Sequence, residues 1–368
     1  MGTTCGSNGY QHYHVNSRLK HYILKDYLSA WLPILSSNHD VLSYVDCFAG
    51  AGSADFGNTS AEGSPLVALR VINEFLQNPY PNVRKPSIIN VSLVERDAIT
   101  FLRLSEEIKK VTLDPRIRVS AECGDANEFL ARRLSLGASS GCPEFLFVDP
   151  NYELPDITVV RQYVKRPKTE IFLNFMYAEI VRNISTQEGW KRLFGNCPFQ
   201  LLALLGVDGA YDVDKIVALY AAQTQSRYYV PFRVCYGPDE YTSLKGRVKY
   251  VLVHLSNNFL AFDKMLTAMC NNSESDNSLQ ISMNQPTLFP TLDHEHLIAS
   301  VKGKYQGTGM KMSFDTLREV NWHLYASAKM WRSCLRVLKD EGLAVVHRVS
   351  SKTKRGISDD DMVEFPRR

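Results

Sequence analysis

The segment Val45-Asp46-Cys47-Phe48-Ala49-Gly50-Ala51-Gly52 follows the apolar-rich run 41–44 and governs the interpretation of the whole chain. An apolar strand that ends in an acid and continues into small residues and two glycines lets the backbone turn sharply and presents bare amides to a ligand. A single Gly-x-Gly is weak evidence, because many strand-to-helix turns contain glycine. The segment still indicates a nucleotide-like cofactor, with five candidate cofactor-binding residues: Asp46, Phe48, Ala49, Gly50 and Gly52.

The composition is that of a globular protein, since 45% of the 368 residues are apolar. The net charge is +3, from 42 basic and 39 acidic residues, so any basic surface must be local. The eight cysteines are scattered without a Cys-x-x-Cys pair. This pattern favours reduced thiols over disulfides, and we expect no metal site. With neither a signal-peptide pattern nor an apolar run of ~20 residues, we expect a cytoplasmic protein outside the membrane.

Strand and helix patterns alternate along the first two thirds of the chain. After the strand that ends at Asp46, strands are predicted at 88–94, 117–121, 144–148, 170–174, 229–234 and 247–254. Alternation with helices predicts a parallel sheet with right-handed crossovers, and only the last two strands are predicted as an antiparallel pair at one edge. The fold class is therefore α/β, a doubly wound, mostly parallel seven-stranded sheet. This outline resembles class I S-adenosylmethionine (SAM)-dependent methyltransferases.

Two segments flank the opening strand. Apolar residues at helical spacing predict an amphipathic helix at 21–34 that packs on the sheet, and we expect Arg18 and Lys20 before it to be solvated. Residues 53–63, between the glycine segment and a helix with Ser64 and Pro65 at its start, predict a lid over cofactor or substrate.

Acidic residues follow the next two strands at the edge where a doubly wound sheet binds ligands. Glu95 ends the second strand, and its carboxylate can accept hydrogen bonds from both ribose hydroxyls; a helix-capping or surface acid is the alternative. Asp125, followed by Ala126, stands where a methyltransferase places the acceptor for the adenine amine. An ordinary N-cap for the helix at 126–134 is an equally good interpretation of Asp125.

The segment Asp149-Pro150-Asn151-Tyr152 ends the fourth strand and holds the candidate catalytic residues. Asp/Asn-Pro-Pro-Tyr segments occur here in methyltransferases that act on exocyclic amines of adenine or cytosine. The carboxylate and a backbone carbonyl accept the amine hydrogens while the aromatic ring stacks on the base, so no metal is needed. Asn151 replaces the usual second proline, and a plain loop start is the alternative. Asn174, after the fifth strand, is predicted to bind substrate or to orient Asp149.

The composition changes to Asn, Ser and Pro at 271–292, which predicts a linker after a methyltransferase-like domain at 1–270. Three helices and a two-stranded wing are predicted at 293–368, which is typical of a winged helix. Its basic residues could bind DNA or RNA, although winged helices also bind proteins and the acids at 359–361 dilute the charge. These candidate substrate-binding residues are Lys329, Arg332, Arg336, Lys352, Lys354 and Arg355.

The chain resembles the three-Cys-motif partner family, TcmP. Six segments carry the resemblance, which spans nearly the whole chain: 20–24, 27–31, 46–52, 63–69, 147–150 and 170–176. The resemblance implies a methyltransferase-like fold, a C-terminal winged helix and association with a three-Cys-motif protein of the phage Gp37/Gp68 type. The family commonly has an aromatic-glycine pair after Asp-Pro, whereas this chain has Asn151-Tyr152, which moves it toward the pattern of enzymes that methylate amines.

Our leading hypothesis is a SAM-dependent methyltransferase that acts on an exocyclic amine of a nucleic-acid base. The competing hypothesis is a non-catalytic or differently catalytic partner protein that uses the fold as a binding module. An open pocket at 149–152 would favour catalysis, and a blocked one would favour a binding module. A nuclease is disfavoured because no second acidic cluster with metal-binding spacing accompanies Asp149.

Overall fold

The computed structural model describes residues 7–56, 59–78, 83–137, 141–150, 153–198, 201–206, 209–235, 248–273, 280–281, 294–349 and 357–367. The chain divides into two compact units. One comprises Met1–Met265 with Ser282–Asn284, and the other comprises Leu266–Ile281 with Gln285–Arg368. Most of the predicted linker, 271–292, lies outside the described residues.

The first unit alternates strands and helices. Its strands are β1 (Val41–Asp46), β2 (Ser53–Phe56), β3 (Thr59–Glu62), β4 (Ile88–Glu95), β5 (Ile117–Cys123), β6 (Glu144–Val148), β7 (Thr169–Phe175), β8 (Tyr228–Cys235) and β9 (Val248–Ser256). Its helices are α1 (Ser7–Ser36), α2 (Ser64–Gln77), α3 (Ala98–Lys109), α4 (Ala126–Ser135), α5 (Ile157–Val164), α6 (Tyr177–Asn183), α7 (Gln187–Phe194) and α8 (Val213–Thr224), with a 3₁₀ turn at Leu201–Leu204.

Seven of these strands form the main sheet in the order β5-β4-β1-β6-β7-β9-β8. The pairs β1–β4, β1–β6, β4–β5 and β6–β7 are parallel, whereas β9 is antiparallel to both β7 and β8. This order is that of the class I methyltransferase fold, so the predicted fold class is confirmed. The small strands β2 and β3 form a separate hairpin.

The antiparallel pair β8–β9 lies toward one edge of the sheet, as the sequence predicts, and the structure adds the position of β9 within it. The strand lies between β7 and β8, and its residues 250–256 are buried. An almost continuous apolar run has no polar face to present to solvent, so it is stable only where both faces and both edges are covered. This burial explains why β9 lies inside the sheet.

Helix α1 begins at Ser7, earlier than the predicted start at residue 21, and is fixed to the sheet by a buried carboxylate. The Tyr27 hydroxyl and the Trp31 indole Nε1, the latter at 3.2 Å, both donate to the Glu170 carboxylate of β7. His254 Nε2 of β9 lies 3.4 Å from Glu170 Oε2. Burial, and then the charge of Glu170, raise the pKa of Tyr27 well above its usual range. This network anchors α1 to β7 and β9 of the sheet.

The C-terminal part of the chain contains α9 (Phe259–Asn271), β10 (Gln280–Ile281), α10 (His294–Tyr305), β11 (Lys311–Ser313), α11 (Phe314–Val320), α12 (Ala328–Asp340), β12 (Val345–His347) and β13 (Met362–Glu364). A 3₁₀ turn covers Trp322–Leu324. Three of the strands form an antiparallel sheet in the order β11-β13-β12. The core of α10–α12 and this sheet includes Phe314, Trp331 and Leu335. The structure thus has the three predicted helices and two predicted strands and adds β11; the winged-helix assignment stays a prediction.

Among the described residues, no helix is both long enough and apolar enough to cross a membrane.

Candidate functional site

A cavity of about 760 Å³ opens at the carboxyl ends of the parallel strands in the first unit. This is the edge where doubly wound sheets bind their ligands. Its walls come from the loops after β1, β4, β5 and β6, from the β2–β3 hairpin and from α1. The predicted residues that line it are Phe48, Ala49, Gly50, Gly52, Glu95, Asp125, Ala126, Asp149 and Pro150. In the part of the chain that the structure describes, no group of three His, Cys, Asp or Glu side chains could hold a metal ion.

The glycine segment turns as its sequence predicts. Gly50 and Gly52 have φ angles of 62° and 79°, in the left-handed region that favours glycine. A Cβ atom at Gly50 would meet nothing within 4 Å, so its side of the loop faces open space. The Gly63 N–H donates to the Gly52 carbonyl at 2.7 Å and closes the base of the β2–β3 hairpin. The predicted lid at 53–63 is therefore a hairpin along one wall of the cavity, and its closure over a ligand stays a prediction.

Asp46 lies beneath the glycine segment and is fully buried. Its Oδ1 accepts the Phe48 N–H at 3.1 Å, and its Oδ2 accepts the Ser64 hydroxyl at 2.6 Å. Burial raises the pKa of Asp46 to about 7, although these two hydrogen bonds oppose the shift. Asp46 therefore joins the loop after β1 to the first turn of α2 and supports the cavity wall from below.

Glu95 supports the same loop from β4. Its Oε2 accepts the Gly50 N–H at 2.9 Å, and its Oε1 accepts the Asp97 N–H at 2.8 Å. Each carboxylate oxygen has further acceptor capacity, so these bonds are compatible with the predicted contact to ribose hydroxyls. Asp97, for its part, caps α3 through the Thr100 N–H.

Asp125 is the N-cap of α4. Its Oδ1 accepts the N–H groups of Asn127 at 2.8 Å and Glu128 at 3.3 Å. Because Asp125 also lines the cavity, the capping role and the predicted adenine contact are compatible at this residue.

Asp149 directly follows β6, and both of its carboxylate oxygens have partners. Asn174 Nδ2 of β7 donates to Oδ1 at 2.8 Å, and the Lys20 ammonium pairs with Oδ2. This contact is the one that an orienting role of Asn174 requires, and both of its predicted roles stay predictions; Pro150 lines the same cavity. The predicted residues Asn151 and Tyr152 lie outside the described residues.

Lys20 and His21 are site residues that the sequence did not predict. Lys20 is not solvated as expected: its side chain is 18% exposed and lines the cavity against Asp149. The reason is an ion pair with an acid distant in sequence, made when α1 packs on the sheet. His21 lines the same wall, and burial, followed by the charge of Lys20, lowers its pKa to about 4. The spacing of Lys20 from Tyr27 and Trp31, two and three turns along the helix, could have placed it on the buried face.

The predicted basic residues of the C-terminal unit have different environments. Lys329 and Arg336 of α12 are exposed. Arg332 instead donates to the Ile357 carbonyl at 2.7 Å, pairs with Asp359 at 3.3 Å and lies over the Phe314 ring. Its guanidinium is therefore engaged within the unit. Lys352, Lys354 and Arg355 lie outside the described residues.

No protein-family model and no curated protein matches the chain. A Legionella pneumophila protein of the family DUF519 is 12% identical to it, covers 66% of this chain and 84% of its own, and has a TM-score of 0.41. A SAM-dependent methyltransferase from Agrobacterium tumefaciens is 13% identical to the chain, covers 66% of this chain and 62% of its own, and has a TM-score of 0.35. The human methyltransferase 10 domain containing protein is 8% identical, covers 62% of this chain and 80% of its own, and has a TM-score of 0.30. These similarities are too low to transfer an activity, and the resemblance to TcmP stays a prediction.

Proposed function

We propose that the chain is a SAM-dependent methyltransferase that transfers a methyl group to an exocyclic amine of a nucleic-acid base. One observation carries the proposal: the glycine segment and three acids from consecutive strand ends, Glu95, Asp125 and Asp149, meet at a single cavity. The parallel β1, β4, β5 and β6 bring these loops to one edge of the sheet. A SAM site in this fold requires acceptors for the ribose and the adenine beside a turn of bare amides.

The residues of the cavity fit SAM. Its volume of about 760 Å³ lies within the range of roughly 300–1,000 Å³ typical of small-molecule sites. Gly50 faces open space, where a ligand can approach the backbone closely. Glu95 would hold the ribose and Asp125 the adenine amine, while the loop of Phe48 and Ala49 would lie at the methionine end. When bound, SAM supplies an electrophilic methyl group.

The protein's own contribution to the reaction lies at Asp149 and Pro150. An ionised carboxylate is a hydrogen-bond acceptor only. Asp149 can therefore accept a hydrogen bond from one amine N–H, and the Pro150 carbonyl can accept one from the other. This orients the nitrogen lone pair, and orientation of a bound nucleophile accelerates transfer without a change in its chemistry. The Asn174 amide holds the carboxylate in place at 2.8 Å.

The proposal is tested by incubating the purified protein with radiolabelled SAM and, separately, cellular DNA, RNA and protein. We expect label in one nucleic-acid fraction, on adenine or cytosine after hydrolysis. Label in the protein fraction alone would contradict the nucleic-acid substrate, and no label in any fraction would contradict the activity.

The competing function, a binding module on the same fold, is favoured by one observation. Both oxygens of Asp149 already have partners, Lys20 and Asn174, as in a blocked acceptor site. This function predicts that SAM binds without transfer to any substrate, whereas the methyltransferase predicts both binding and transfer.

The proposed partners are DNA or RNA and, from the resemblance to TcmP, a three-Cys-motif protein of the phage Gp37/Gp68 type. The exposed Lys329 and Arg336 of α12 support nucleic acid. Co-expression with such a partner, followed by size-exclusion chromatography, tests the second: a joint peak is expected, and separate elution would contradict it.

A further inference from the structure

We propose that Lys20 is a positioning residue for methyl transfer, whose ammonium group keeps the Asp149 carboxylate charged and directed for its role as acceptor of the substrate amine. The inference rests on the proposed function, in which Asp149 accepts an amine hydrogen. It adds a residue of α1 to the candidate active site.

The ion pair is well placed for this role. Lys20 Nζ contacts Oδ2 of Asp149 while Asn174 Nδ2 donates to Oδ1 at 2.8 Å, and the two charged side chains are only 18% and 12% exposed. A carboxylate buried to this degree takes up a proton unless a cation or several donors compensate it. A protonated Asp149 would present an O–H donor to the amine, which is the wrong partner for an N–H group.

The charges around Asp149 leave the compensation to Lys20. From β1, the buried Asp46 opposes a second negative charge, and the Tyr44 hydroxyl is buried and neutral. From α1, His21 has a pKa of about 4 and is neutral near pH 7. From β7, Asn174 supplies a neutral amide. Burial raises the pKa of Asp149, but the charge and hydrogen bond of Lys20, followed by Asn174, lower it on balance.

Glu153 and Arg192 are two of the other charged residues that line the same cavity, which also include Glu62, Glu95, Arg96, Asp97 and Asp125. Glu153 and Arg192 form an ion pair with each other, and Arg192 Nε also donates to the Leu154 carbonyl at 3.2 Å. Since Arg192 has these partners, it does not take the place of Lys20 as the cation on Asp149.

Contacts further along α1 set the position of the Lys20 backbone. Tyr27 and Trp31, seven and eleven residues later, lie on the same face of α1 and are held by Glu170 of β7. The backbone at Lys20 is therefore fixed relative to β7, the strand that also carries Asn174. One rigid frame thus presents both donors to Asp149.

The test compares Lys20→Met, which removes the charge, with Lys20→Arg, which keeps it. Lys25→Met is the matched control, since Lys25 is exposed on the same helix. The first readout is the carboxyl pKa of Asp149, measured by carbon NMR on the protein without substrate. We expect Lys20→Met to raise it by about 1–3 pH units, the usual effect of a close opposite charge, and the other two variants to leave it near the wild-type value.

The second readout is the pH profile of methyl transfer to nucleic acid. The acidic limb should move to higher pH in Lys20→Met, because Asp149 must ionise, and Lys20→Arg should restore it. A loss of activity without this displacement would indicate a merely structural role and overturn the proposal. Thermal unfolding shows whether each variant is folded. If Lys20→Met does not fold, Lys20→Arg still tests the proposal, because it should keep the Asp149 pKa near the wild-type value.

The two proposals fail in different ways. An unchanged Asp149 pKa in Lys20→Met overturns the role of Lys20 whatever the activity. Absence of methyl transfer from the wild-type protein overturns the proposed function, while the NMR titration still decides whether Lys20 controls the charge of Asp149.

Discussion

Asp46 and Asp149 lie at the carboxyl ends of the neighbouring strands β1 and β6, yet their pKa values move in opposite directions. The pKa of Asp46 rises to about 7, because burial outweighs its hydrogen bonds from Ser64 and Phe48. Burial also raises the pKa of Asp149, but Lys20, followed by Asn174, outweighs it, and the pKa falls. At Asp46 two neutral donors do not offset burial, whereas at Asp149 a contacting cation and an amide do.

The difference assigns separate tasks to the two acids. Asp46 has a structural task in the loop after β1. Partial protonation near pH 7 leaves its hydrogen bonds with Phe48 and Ser64 feasible. Asp149 is at the cavity, where only the ionised form is a pure acceptor.

The largest expected effect is on the pH dependence of stability through Asp46. Its folded-state pKa, about 7, exceeds the ordinary value of 3.8, so the folded state binds more protons than the unfolded state between these pH values. Stability therefore falls as pH rises through this window, by on the order of 4 kcal/mol in all. Asp46→Asn should remove this decline, as measured by urea unfolding across the window.

The control for this measurement is Asp40→Asn, an exposed acid just before the same strand. It should leave the decline in place. If Asp46→Asn and the wild type lose stability in parallel as pH rises, the buried Asp46 carboxyl is not the source.

The next effect is on catalysis at Asp149. Asp149→Asn keeps the shape of the side chain but replaces one acceptor with a donor, so we expect methyl transfer to fall by about 100-fold or more. Affinity for SAM should stay nearly unchanged, because Asp149 contacts the amine and not the cofactor in this account. Parallel loss of both in transfer assays and calorimetry would show that the site is misplaced.

The acids at the strand ends could be predicted from the sequence, whereas Lys20 could not. Asp46, Glu95, Asp125 and Asp149 were assigned because the end of a strand is visible in a few adjacent residues, and three of them line the cavity. Lys20 was missed because its partner lies far along the chain, and a lysine near a helix start is usually solvated. Only tertiary packing of α1 brings the two together.

The C-terminal unit shows the same limit. Helical spacing correctly places Lys329 and Arg336 on the exposed part of α12, but Arg332 on the same helix is drawn to Asp359 and the Ile357 carbonyl. Asp361, in the same acidic run, is fully buried and accepts the N–H groups of Val349 and Ser358. Periodicity finds the face of a helix but not the loop that folds onto it.

A smaller effect is expected at Glu95, whose carboxylate accepts the backbone N–H groups of Gly50 and Asp97. Glu95→Gln places an amide donor against these N–H groups and weakens the contact to ribose. We expect affinity for SAM to fall about 10- to 100-fold, the equivalent of losing a charged hydrogen bond. Glu74→Gln, a surface substitution in α2, is the calorimetric control, and equal affinities of the two variants would exclude Glu95 from the cofactor site.

The smallest effect is expected at Gly50, whose φ angle is 62°. Gly50→Ala meets no atom within 4 Å, so the cost is backbone strain alone, about 1–2 kcal/mol of unfolding free energy. Gly303→Ala, at a helical glycine of α10, should be neutral or stabilising in the same denaturation series. A neutral Gly50→Ala would contradict the left-handed turn.

Isothermal titration of the wild-type protein with S-adenosylhomocysteine, the demethylated product, tests whether this cavity holds the cofactor. We expect saturable binding of one molecule per chain, weakened in Glu95→Gln and retained in Asp149→Asn. Absence of binding by the wild type, or equal binding by Glu95→Gln and the wild type, would contradict the assignment of this cavity to the cofactor.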